Sequence, residues 1–177
     1  SVIENLYEQA QGHICIGTLA PELNGSGAVM SWLKRKKIRI QLGHSVATGS
    51  QALAAAKAGA TGITHLMNAM TVHHREPGLL AALLVSKKYS PAKMTAEIIT
   101  DTKHIDPLYL DFLLKGLPER LYAVSDCCAC AEFSKPTTLG ELKIKKQSDL
   151  AFTKDGIIAG SALLLTKHPE KLAKLWG

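Results

Sequence analysis

Residues 59–78 read GATGITHLMNAMTVHHREPG, and the expectation for the whole chain is built outward from them. The short step Gly62-Ile63-Thr64 leads directly to His65. Small and polar residues follow (Asn68, Ala69), then a dense polar turn, His73-His74-Arg75-Glu76, closed by Pro77-Gly78. A histidine at the C-terminal tip of a strand, with donors and a fixed cation just beyond, is how a barrel enzyme presents a metal and an anionic substrate together.

Upstream, residues 48–60 (TGSQALAAAKAGA) predict a helix, with Thr or Ser as cap, alanine-rich turns and Gly59 at the C-terminal end. Residues 38–42 (IRIQL) predict a strand that ends in Gly43-His44-Ser45, and residues 13–20 (HICIGTLA) a buried strand stopped by Pro21. Between them, residues 27–37 have Val29, Met30 and Leu33 at helical spacing. Residues 1–11 read as a short helix. Downstream, residues 78–87 predict a well-buried helix, residues 94–100 a strand ending at Asp101, and residues 107–115 a helix with Pro in its first turn. Residues 120–125 predict a fifth strand with Asp126 at its tip.

Strand and helix thus alternate five times with short connections, the pattern of parallel βαβ units. Polar residues gather at the strand ends: Glu22, His44, His65, Asp101 with His104, and Asp126. A doubly wound sheet would also place ligands there, but Gly25-Ser26-Gly27 is too short for its phosphate turn and lacks the third glycine. The expected fold is therefore α/β, a (β/α)8 TIM barrel of the metal-dependent hydrolase type represented by about five β/α units. Residues 1–135 are assigned to the C-terminal part of the barrel, with the catalytic face. Residues 136–177 are assigned to a β-rich extension with a terminal helix, because residues 139–152 alternate polar and apolar like exposed β structure.

The totals bound the partners. The chain has 177 residues, 46% hydrophobic and 20% charged, which is globular composition. The net charge of +6 comes from scattered Lys and Arg without aromatic interleaving or a nucleic-acid motif, so no nucleic-acid partner is expected. No apolar run is long enough to span a membrane, and the N-terminus is not a signal peptide. Four clustered cysteines make no disulfide framework and suit a reducing cytoplasm. The chain opens at Ser1 without Met and is expected to be part of a longer one.

His44 and His65, at successive parallel strand tips, can converge on one divalent cation, zinc or ferrous iron. Asp126 could then exchange a proton with water and leaving group, and a neutral His104 could polarise a carbonyl. Several residues carry quieter expectations. His73 and His74 are loop residues, and His13 and His168 have no role. Glu22 caps the next helix, and Cys127, Cys128 and Cys130 pack behind Asp126 as small residues rather than forming a metal or redox site.

His65-Leu66-Met67-Asn68-Ala69-Met70, followed by Arg75-Glu76-Pro77-Gly78, closely resembles the T-H-L-x-N-A-M and R-E-P-G signature of N-acetylglucosamine-6-phosphate deacetylases, metal-dependent (β/α) barrels of the amidohydrolase superfamily. Gly43-His44-Ser45 with Ala47-Thr48, Asp101 to His104, Val124-Ser125-Asp126 and residues 156–163 (GIIAGSAL) agree in order. The resemblance implies His44 and His65 as metal ligands, zinc first and iron second. It implies Asp126 as catalytic acid/base and His104 as the residue orienting the acetamide carbonyl. Asn68, Ala69, Arg75, Asp101, His104 and the Ile158-Ala159-Gly160 backbone would bind the sugar phosphate. The arginine would reach the substrate of a neighbouring subunit, which implies a homodimer. The reaction would release acetate and glucosamine 6-phosphate, a step of amino-sugar catabolism.

The chain also departs from the family pattern. Its carboxylate ligand lies in an H-L-E-G-P motif that these residues do not contain, Val46 stands where the family has Asn, and a segment is expected to be missing near 165–168. With two imidazoles alone, the 177-residue polypeptide is expected not to turn over substrate. The alternatives are another metal-dependent amidohydrolase on the same scaffold, and a non-catalytic sugar-phosphate binder.

Overall fold

A computed structural model describes residues 2–89, 93–131 and 137–176, with backbone alone for residues 86–89 and 175–176. The chain divides into two compact units, Ser1–Glu97 and Ile98–Gly177. The expected division between residues 135 and 136 lies outside the described residues.

The first unit runs α1 (Val2–Gln9), β1 (Ile16–Leu19), α2 (Ser26–Arg35), β2 (Arg39–Leu42), α3 (Gly49–Ala58), β3 (Gly62–Ile63), α4 (Leu79–Tyr89) and into β4 (Thr95–Ile99), which continues into the second. The strands stand in chain order and pair in parallel, as the alternation of strands and helices predicts. Ile40, Leu42, Ile63 and Ala96 from the strands, with Leu33, Ala52, Ala56, Leu79 and Leu83 from the helices, form its buried core. Buried Gln41 is satisfied locally: its Oε1 accepts from Thr64 Oγ1 at 2.7 Å, and Thr64 meets Thr18 Oγ1 at 2.8 Å.

α3 begins and ends as its sequence requires. Gln51 N–H donates to Thr48 Oγ1 at 3.3 Å while Thr48 N–H donates to Gln51 Oε1 at 2.9 Å, a complete capping box. Gly59, at φ 122°, ends the helix.

Two expectations are corrected. β1 is an edge strand rather than a buried one, with Ile16 48% exposed, because it has a neighbour on one side only and α1 buries none of its residues. α4 buries Leu79, Ala82 and Leu83 but leaves Leu84 53% exposed, so it is covered on one face rather than all round.

In the second unit β5 (Leu121–Val124) follows β4 in the strand order, after α5 (Pro107–Gly116). Asp106 caps α5 by accepting from Leu108 N–H at 2.9 Å, and Pro107 occupies the first turn. A 3-10 turn (Ala129–Ala131) precedes an antiparallel sheet of β6 (Thr137–Leu139), β7 (Leu142–Gln147), β8 (Leu150–Thr153) and β9 (Ile158–Ser161), paired in chain order. A second 3-10 turn (Leu165–Lys167) leads into α6 (His168–Trp176). β7 alternates as expected, with Ile144 buried between exposed Lys143 and Lys145. Ile144, Ala151 and Ala162 pack with Cys128 and Cys130 in a small core, so these cysteines serve as compact apolar residues.

The Arg75-Glu76-Pro77-Gly78 turn is fixed by its ends. Glu76 Oε1 accepts from Gly49 N–H and, at 3.2 Å, from Gly78 N–H, tying the start of α4 to the start of α3. Gly78 has φ 53°, and a Cβ there would collide with the Thr71 carbonyl. Gly78→Ala is therefore expected to destabilise the fold by about 2 kcal/mol or more, read from denaturant unfolding. An unchanged midpoint would refute this account of the turn.

Candidate active site

β2 and β3 deliver two imidazoles together. Each histidine lies two residues past a paired strand residue, His44 after Leu42 and His65 after Ile63. Their ring centroids are 4.6 Å apart with the planes at 73°. His44 is exposed and His65 is buried, 7% accessible. Both have left-handed backbones, at φ 48° and 31°, a conformation that costs a non-glycine residue free energy and that clusters at functional sites.

Hydrogen bonds hold these backbones in place. Ser45 N–H donates to the Ala69 carbonyl at 3.0 Å and Thr71 N–H donates to the Ser45 carbonyl at 3.3 Å, joining the loops that follow the two histidines. Asn68 Nδ2 donates to the His65 and Leu66 carbonyls at 3.3 and 3.2 Å. Arg75 stands exposed on its turn. Glu22 is not the expected helix cap, since α2 is preceded by Gly25 with no side-chain cap. Its carboxylate instead accepts from Ser45 Oγ at 2.6 Å and Val46 N–H at 2.7 Å, bracing the loop that carries His44. Burial opposes its charge, but the bonds from Ser45 and Val46 prevail and hold its pKa below the ordinary value.

In the second unit Asp101 is fully buried, and both its oxygens are engaged. Oδ1 accepts from Lys103 and His104 N–H at 2.9 and 3.0 Å, and Oδ2 lies 2.8 Å from His104 Nδ1. Burial pushes its pKa upward, yet the His104 ring and the two amides outweigh burial and bring it down to about 2. The carboxylate is thus ionised at neutral pH and sets His104 with a proton on Nδ1, while His104 Nε2 is buried without a hydrogen bond.

Asp126 is exposed at φ 49°, and its carbonyl accepts from Ser161 N–H at 2.8 Å. A Cβ on Gly160 would fall 2.6 Å from Cys128 Sγ and 2.8 Å from the Asp126 carbonyl, so the Ile158-Ala159-Gly160 backbone runs against Asp126 because residue 160 has no side chain. His168, given no role from sequence, is 1% exposed, and its Nδ1 lies 2.8 Å from Thr100 Oγ1. No local pattern could have found that contact, since 68 residues separate the partners.

The chemistry of the His44–His65 pair fits a divalent cation. Buried polar atoms are nearly always hydrogen-bonded, yet His65 Nδ1 is buried and makes no hydrogen bond. Neutral imidazole is a ligand for zinc and iron alike. Among the described residues no group of three or more His, Cys, Asp or Glu could hold a metal, so the pair supplies two ligands where a catalytic zinc takes three from protein. Among the same residues no helix is long and apolar enough to cross a membrane.

Parallel βα units with polar residues at the strand C-termini define an α/β fold of the class that carries its sites on that face. Comparison narrows the class: over most of its length the chain matches the N-acetylglucosamine-6-phosphate deacetylases, as its signature implies. It is 32% identical over 178 residues to the N-acetylgalactosamine-6-phosphate deacetylase of Escherichia coli O157:H7, covering 99% of this chain and 46% of that protein. It is 37% identical over 155 residues to the N-acetylglucosamine-6-phosphate deacetylase of Rattus norvegicus, covering 86% and 36%. A Mycobacterium smegmatis N-acetyl-D-glucosamine-6-phosphate deacetylase mutant, solved with N-acetyl-D-glucosamine 6-phosphate, superposes with a TM-score of 0.85 at 30% identity, over 94% of this chain and 43% of that one. The chain spans less than half the length of these relatives. No family model matches it.

Asp101 has a consequence for stability. Its folded pKa of about 2 lies below the ordinary 3.8, so its contribution is present in full above the ordinary value and is lost as the pH falls through about 2. The contribution is about 2 kcal/mol. The stability difference between the wild type and Asp101→Asn, measured by urea unfolding, is expected to shrink by about 2 kcal/mol between about pH 5 and about pH 2. A constant difference would show that the carboxylate is not held in this way.

Proposed function

We propose that this chain carries catalytic-face residues of an N-acetylglucosamine-6-phosphate deacetylase, which hydrolyses the N-acetyl group to give acetate and glucosamine 6-phosphate. The observation that carries the proposal is the His44–His65 ring pair, 4.6 Å apart with an unpartnered buried nitrogen, in a chain that matches such deacetylases over most of its length. In this reading the two rings hold a divalent ion, zinc before iron. The ion would polarise the amide carbonyl and make water acidic enough to attack at neutral pH.

The chain's own residues do the rest. Asp126, exposed at its strand tip, takes the proton from the attacking water and returns it to the departing amine, so that the leaving group is neutral glucosamine nitrogen. His104 is set by Asp101, and its unpartnered Nε2 is the atom that would meet substrate. Arg75, exposed on its turn, suits a bidentate hold on a phosphate, and the family resemblance assigns that phosphate to a partner subunit's substrate in a homodimer. Asn68, Ala69 and the Ile158-Ala159-Gly160 backbone complete the sugar-phosphate contacts. Residues 1–135 then belong to a closed (β/α)8 barrel and residues 136–177 to its β-rich extension, in a cytoplasmic enzyme. The E. coli relative named for N-acetylgalactosamine 6-phosphate makes that epimer the second substrate to try.

Acetate release is expected from N-acetylglucosamine 6-phosphate with the purified native protein, together with a loss of about 100-fold or more in Asp126→Asn. Retained divalent metal is expected to fall in His44→Asn and His65→Asn. Release from an unrelated amide alone would favour another amidohydrolase. Sugar-phosphate binding without turnover, with no metal retained, would leave only a binder.

A further inference from the structure

His168 is the most deeply buried histidine among the described residues, 1% exposed at the start of α6. A packing role alone would not need an imidazole there, because an aromatic hydrocarbon fills such a volume without the cost of burying two ring nitrogens. The ring is used for a bond instead: Nδ1 meets Thr100 Oγ1 at 2.8 Å. Thr100 is itself 2% exposed, immediately follows β4 and immediately precedes Asp101. Without His168 its hydroxyl would lose this buried partner.

Thr100 and Asp101 are therefore fixed from two directions. His168 holds the Thr100 side chain, and Asp101 grips its own loop through the amides of Lys103 and His104 and through the His104 ring. Burial pushes His168 toward its neutral form, with the Asp101 carboxylate and the Leu163 carbonyl pulling the other way and His104 adding to the downward push. The titratable groups among these, Asp101 and His104, are the pair in question.

We propose that His168 is a positioning residue for the Asp101–His104 pair: it clamps Thr100 at the tip of β4 and so fixes the carboxylate that sets the His104 ring. The proposal rests on the reading of His104 as a substrate-facing residue. It gives α6 a function that its sequence, a short amphipathic helix, does not announce.

The test is the nitrogen NMR of the histidine rings in the full chain near neutral pH, without substrate. In the wild type His104 is expected as the single Nδ1-protonated tautomer. In His168→Phe, which keeps the bulk and loses the bond, the His104 nitrogens are expected to move to tautomer-averaged positions. His168→Gln, whose amide still reaches a hydroxyl, should restore the wild-type pattern. Thr100→Val breaks the same contact from the other side and decides the matter if His168→Phe does not fold.

In the active enzyme the broken contact should raise KM by about 10-fold or more, with a smaller effect on kcat. His104 resonances that stay unmoved in folded His168→Phe and Thr100→Val would overturn the proposal, whatever the activity. A wild type that releases no acetate would remove the deacetylase reading, and the ring spectra would still decide whether His168 positions His104.

Discussion

Leu42 lies level with Ile63 in the ladder between β2 and β3, and Thr64 N–H closes that ladder on the Leu42 carbonyl at 2.9 Å. In a parallel pair, residues an equal number of steps beyond matched partners stay level. His44 and His65 each come two residues later, so the register itself brings their rings to 4.6 Å. A slip of one residue would move every side chain of one strand to the opposite face and separate them. What prevents the slip is the burial of Leu42 and Ile63, both without accessible surface, and the satisfaction of Gln41 by Thr64. The histidines thus depend on apolar packing that contains no chemistry of its own.

Register brings the rings level, but the backbone must still turn them. His44, His65, Met67 and Ala69 all have positive φ, and each such residue costs roughly 1–3 kcal/mol and persists only where its surroundings dictate the conformation. Here the surroundings do so. The Ser45–Ala69 and Thr71–Ser45 bonds join the two loops to each other, Asn68 folds its amide back on the His65 and Leu66 carbonyls, and Glu22 takes both the hydroxyl of Ser45 and the amide of Val46. Asp126 repeats the pattern in the second unit, with φ 49° and its carbonyl tied to Ser161. Three of the proposed functional side chains therefore leave strand tips on strained backbone.

Much of this was legible in the sequence because it is local. Thr48 with Gln51, Pro107 after Asp106, Gly59 after an alanine-rich run, and the alternation around Ile144 each write their structure within a few residues. The strand order and the pairing of His44 with His65 followed from that alternation of elements. What the sequence hid is long-range. Glu22 reads as a helix cap because it stands just ahead of the next helix, and nothing nearby says that its partners are Ser45 and Val46. His168 looked idle because its partner, Thr100, lies 68 residues away. The exposure of β1 was hidden for the same reason, since an apolar strand reads identically at the edge and at the centre of a sheet.

Asp101 shows how such a contact changes the chemistry assigned to a residue. By resemblance it joins the sugar-phosphate contacts, but its carboxylate has no accessible surface and its oxygens already take two amides and an imidazole. An acceptor so occupied does better service fixing a neighbour than reaching for a substrate. The neighbour is His104, and the choice of atom follows from charge: an ionised carboxylate at Nδ1 keeps the proton there. With the proton held on Nδ1 by the carboxylate, the neutral ring presents Nε2 as an acceptor.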